Sequence, residues 1–115
     1  MNNRICIEVK AHGVEVGALE AAYVRSQLGR ALKPFQSHVR HVTVRLTDLN
    51  GPRGGDSDME CRVVVEGAFP SVVLSERAVG VTVAIDVAAD RVSHAVARAI
   101  GRSRTHLRRM GMLHV

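Results

Sequence analysis

Apolar and polar residues alternate in three stretches of the chain and change to a helical period in two others. Ile5, Ile7 and Val9 alternate with Cys6, Glu8 and Lys10, which predicts a half-buried strand ending near His12-Gly13. From Ala18 to Phe35, Val24, Leu28, Ala31, Leu32 and Phe35 fall on one helical face, with Arg25, Ser26, Arg30 and Lys33 opposite. Pro34 stands where a helix is expected to stop. Val42, Val44 and Leu46 alternate with His41, Thr43, Arg45 and Thr47 as a second strand, and Asp48–Asp58 is turn chemistry throughout. Cys61, Val63 and Val65 mark a third strand. Ser71–Arg77 supplies a fourth after a turn at Gly67–Pro70. A second helix runs from Val81 to Met110, with Ile85, Val92, Val96, Ala99, Ile100, Leu107 and Met110 as its apolar stripe.

Strand, helix, three strands, helix is the order of a two-layer α+β domain: a four-stranded sheet with both helices on one face. The 115 residues suit a single domain spanning 1–115, with no internal repeat or linker.

The charge of +5 is unevenly placed. Of the 16 basic residues, only Lys10 and Lys33 are lysine, and arginine holds phosphate through a planar, permanently charged fork. From Arg91 to the end there are six arginines and no carboxylate. At about 100° per residue, Arg91, Arg98, Arg102 and Arg109 lie within about 40° of one another, off the apolar stripe, with His94 at the edge of the line. A row of guanidinium groups without intervening acids suits a phosphate backbone, whereas solvated helix faces ordinarily mix signs. With two Phe, one Tyr and no Trp, platforms for stacking splayed bases are missing, so backbone recognition of folded RNA fits better.

Other constellations are weaker. His38 and His41 lack the further ligands of a zinc site, and no metal or cofactor is expected. Cys6 and Cys61 are expected to be buried and inert. Asn50–Gly55 lacks the Gly-Lys-Ser/Thr ending of a nucleotide-binding loop. Asp86 and Asp90, one helical turn apart, read as a solvated edge or a contact to Arg91. No catalytic constellation emerges, and neither an enzyme nor a small-molecule substrate is expected. The N-terminus is too charged for a secretion signal and no apolar run spans a bilayer, so the expectation is a cytoplasmic protein without a membrane partner. An exposed strand edge would allow weak homo-association.

Several motifs carry a family resemblance: Tyr23-Val24 and Leu32…Phe35 in helix one, Val83-Ala84-Ile85-Asp86 in helix two, and above all VTVRLTDLNGPRGG followed by CRVVV, between Val42 and Val65. Together they resemble the ribosome hibernation-promoting factor and ribosome-associated inhibitor family, in its proteobacterial branch and short form. The resemblance implies a fold similar to a double-stranded RNA-binding domain and a seat on the small ribosomal subunit. It also implies inhibition of translation in stressed or stationary cells. Basic side chains of both helices would meet ribosomal RNA: by position Arg91, Arg98 and Arg102 fall on basic positions of helix two and His94 replaces a basic residue, and the expected RNA-binding set adds Arg109 on helix two and Arg25, Arg30 and Lys33 on helix one. The sequence departs from the family pattern at Gly80, Thr82, Gln27 and Gly29. The competing expectation is a divergent paralogue that acts as a protein-interaction module without RNA binding.

Overall fold

The computed structural model describes the backbone of residues 5–13, 15–49 and 58–109, with side chains up to residue 103. Strand β1 (Cys6–His12) is followed by helix α1 (Ala18–Leu32) and a 3-10 turn at Lys33–Phe35. Strands β2 (Val39–Asp48), β3 (Asp58–Gly67) and β4 (Phe69–Val79) come next, and helix α2 (Val81–Arg109) closes the order.

The sheet runs β1-β2-β3-β4, with β1 parallel to β2 and the other pairs antiparallel. A parallel neighbour needs a long crossover, and α1 provides it. Both helices pack on one face, so the α+β two-layer expectation holds. Val42, Val44 and Leu46 of β2 and Cys61, Val63 and Val65 of β3 are shut from solvent against Val24, Leu28 and Leu32 of α1 and Ile85, Val92 and Val96 of α2. The apolar parity read from the sequence is the parity that is buried.

Three local differences have physical causes. Helix one is α-helical only to Leu32, because Pro34 has no N–H to continue the ladder; Lys33 N–H turns to the Arg30 carbonyl and a 3-10 turn finishes the segment. The fourth strand is longer than Ser71–Arg77 and includes Pro70, which an edge strand tolerates. Cys61 is buried as expected but Cys6 is exposed, since strict alternation after Ile5 places it on the outer face with Glu8 and Lys10. The Asn50–Gly55 loop, Met110 and the side chains of Leu107 and Arg109 lie outside the described residues.

Gly80 and Gly67 are dictated by geometry. Gly80 joins β4 to α2 at φ +86°, where an L side chain is strained. Gly67 turns β3 into β4 directly beneath His38: a Cβ there would overlap the His38 carbonyl oxygen.

Candidate nucleic-acid interface

The strands order the helices so that β1 and α1 run in opposite senses, as do β4 and α2; α1 and α2 are therefore parallel and begin at the same end. They are clasped by polar groups. The Tyr23 hydroxyl donates to Asp86 Oδ1 at 2.6 Å, and Gln27 Nε2 donates to the same oxygen at 2.9 Å. The hydrogen bond to this carboxylate, reinforced by partial desolvation and the negative charge of Asp86, raises the Tyr23 pKa, with Arg30 opposing. Asp86 is exposed, as a solvated edge would be, but it is not a partner of Arg91: it marks the side of α2 that faces α1.

Measured from the buried stripe of α2, Asp86 lies about 100° to one side, and Arg91, Arg98 and Arg102 lie about 120° to the other. The arginine line is consequently on the flank of α2 away from α1, above β4. The side-chain contacts agree, because the Arg91 guanidinium forms an ion pair with Glu76 of β4. Arg98 and Arg102 are exposed, one turn apart, and neither has an acidic partner among the described residues. His94 is exposed too, but its Nδ1 lies 2.9 Å from the Asp90 carbonyl oxygen. That carbonyl can only accept, so Nδ1 carries the proton and a neutral His94 offers no N–H at Nε2.

The helix-one residues occupy other sectors. Arg25, Arg30 and Lys33 are all exposed. Arg30 sits within electrostatic reach of Tyr23, next to the seam between the helices. Arg25 is about 160° around α1 from both Tyr23 and Gln27, and Lys33 about 80° from Tyr23. The structure therefore brings Arg98 and Arg102 together, diverts Arg91 to Glu76, and spreads Arg25 and Arg30 over α1 and Lys33 onto the 3-10 turn that follows it. The backbone of Arg109 continues the same helix.

Sequence reasoning missed the Tyr23–Asp86–Gln27 clasp and the Glu76–Arg91 pair. Both join residues far apart in the chain, and no local spacing signals them. Among the described residues there is no cluster of His, Cys, Asp and Glu suited to a metal, and no helix long and apolar enough to cross a membrane.

Two layers, with a four-stranded mixed sheet beneath two parallel helices, define the structural class of this protein. No family model matches the chain, and no curated protein matches it in sequence. Solved structures do. A ribosomal subunit interface protein from Coxiella burnetii superposes with a TM-score of 0.69 at 9% identity, over 80% of this chain and 93% of that one. The N-terminal domain of Protein Y from Thermus thermophilus superposes with a TM-score of 0.64 at 22% identity, over 85% of this chain and 98% of that one. At these identities what is shared is the fold, and it is the fold that the family resemblance implies.

Proposed function

We propose that this chain is a non-catalytic, cytoplasmic, ribosome-associated protein that binds ribosomal RNA of the small subunit and inhibits translation by occupancy. The observation that carries the reading is the exposed, acid-free flank of α2 at Arg98 and Arg102, on a fold shared with a protein described as a ribosomal subunit interface protein. Guanidinium groups without internal carboxylates are available to phosphates, and each phosphate they neutralise releases counterions. Arg109 is included in this contact set on its spacing in the sequence alone, while Arg91 and His94 contribute less because Glu76 and the Asp90 carbonyl engage them. Arg25 and Arg30 on α1 and Lys33 on the turn after it form separate contacts.

The test is cell-free translation of a reporter. Added protein lowers the output in proportion to its ratio to ribosomes, and the Arg98→Ala/Arg102→Ala variant loses most of that effect. Equal inhibition by the variant would remove the proposed surface.

A second reading, a protein-interaction module, draws on a different observation. Leu19, Val83 and Val87 are exposed near the common starting end of the two parallel helices. Partners that survive nuclease treatment in a pull-down, and are lost on Val83→Ser/Val87→Ser, would favour it.

A further inference from the structure

The helices cover one face of the sheet, and the opposite face is open. Alternation sends Lys10 of β1, Arg45 of β2 and Arg62 of β3 to that open face, and the register sets Lys10 directly beside Arg45 and Arg45 directly beside Arg62. Three cations stand in one row across three adjacent strands, about 4.8 Å apart at the backbone. Like charges directly opposite each other destabilise a sheet, so this fold would be better served by almost any other pair. Lys10 is partly compensated by Glu8 at 3.8 Å, which also holds His41 at 3.3 Å. Arg45 and Arg62 are exposed and have no ion-pair partner among the described residues.

Two shallow depressions meet at this arginine pair. One holds Lys10, His12, Thr47 and Glu60 beside the two arginines. The other places Thr43 and Val64 beside the same two. Hydroxyl groups thus stand on both sides of a pair of guanidinium forks.

We propose that Arg45 and Arg62, with Lys10 at the end of the row and Thr43 and Thr47 beside it, form a phosphate seat for an RNA strand lying across the open sheet face. Guanidinium forks match phosphate oxygens bidentately, and threonine hydroxyls are ordinary backbone donors to them. The charge pattern also limits the ligand. Glu60 borders one side of the row, with Arg77 of β4 beyond it in the register, and Glu8 is committed at its end, so the continuous cationic track is one row wide. It suits one or two phosphates of a single strand rather than the broad face of a duplex. No Phe, Tyr or Trp stands on this face among the described residues, so base stacking contributes little and binding is tolerant of sequence. The seat is on the other side of the sheet from the α2 flank and does not depend on the reading of that flank.

The experiment follows backbone amide NMR signals of the full chain during titration with a single-stranded oligouridylate of about 12 nucleotides, within the usual range of strand site sizes. Shifts are expected in Thr43–Thr47 and Glu60–Val64. They should vanish in Arg45→Ala/Arg62→Ala and persist in Arg98→Ala/Arg102→Ala, so the two surfaces fail or stand separately. In the first variant the slope of log affinity against log salt should fall by about 1.4, for two lost contacts to a single strand. The same variant should melt no lower than the parent, because a like-charge pair has gone. Arg45→Lys/Arg62→Lys should keep the salt slope with weaker binding. Wild-type protein without shifts on β2 and β3, or an unchanged salt slope in the folded alanine variant, overturns the proposal. So does inorganic tripolyphosphate that reproduces the shifts and displaces the oligonucleotide at equal phosphate concentration, since the seat is then for a free anion.

Discussion

Arg91 of α2 is held against Glu76 of β4, a carboxylate side chain that keeps only 16% of its accessible surface. Glu76 Oε1 is shut from solvent and has no other described partner, so the guanidinium is its whole compensation. The contact ties the helix to the sheet edge and removes one arginine from the row of cations free to meet phosphate.

Arg91→Ala is therefore expected to act mainly on stability. It should cost about 1–2 kcal/mol, above an exposed pair and below a fully buried one, because a half-buried charge loses its partner. Urea unfolding measures it, and adding Glu76→Gln should restore part of the loss. RNA binding should fall less in Arg91→Ala than in Arg98→Ala.

The clasp between the helices has a pH signature. Tyr23 has its pKa raised in the folded chain, chiefly by its hydrogen bond to Asp86. A raised pKa on an acid means that the folded state holds the proton more tightly. The resulting stability is fully present below the ordinary phenol value of about 10 and is lost as pH rises through the higher folded value. The chain has one tyrosine and no tryptophan, so absorbance follows this phenol alone. Asp86→Ala should bring the titration back toward the ordinary value, and Tyr23→Phe should flatten the alkaline loss of stability.

The two cysteines should separate cleanly. Burial pushes the Cys61 thiol up to about 12, whereas Cys6 is exposed on the outer face of an edge strand. Since the thiolate is the reactive form, one equivalent of a thiol reagent should react promptly with native protein and a second only on unfolding. Cys6→Ser should abolish the fast equivalent.

Gly67 offers a test of packing at the β3–β4 turn. A methyl group there collides with the backbone carbonyl of His38, which is itself fixed by the Ala68 N–H at 2.9 Å. Gly67→Ala should destabilise by about 2–3 kcal/mol, in the range of overpacked sites, as read from the urea midpoint.

Periodicity made most of the fold legible, because residues such as Val42, Val44 and Leu46 on β2 and Ile85, Val92 and Val96 on α2 report burial through local spacing alone. The cationic flank was legible in the same way: Arg98 and Arg102 are four apart on one helix. What could not be read were the relationships set by register and by helix packing. Arg91 meets Glu76 only because α2 lies over β4, and Arg45 faces Arg62 only because the β2–β3 hairpin pairs in one particular register. The exposure of Cys6 was legible, since it shares parity with Glu8 and Lys10, but a general preference of free thiols for the interior outweighed that local pattern.

The central claim is tested most directly by co-sedimentation of the protein with small ribosomal subunits over a series of salt concentrations. Binding should weaken steeply with salt, and the log–log slope should fall by about 1.4 to 1.8 in Arg98→Ala/Arg102→Ala, the loss of two phosphate contacts. Binding of the variant with the parent's affinity and the parent's slope would contradict it.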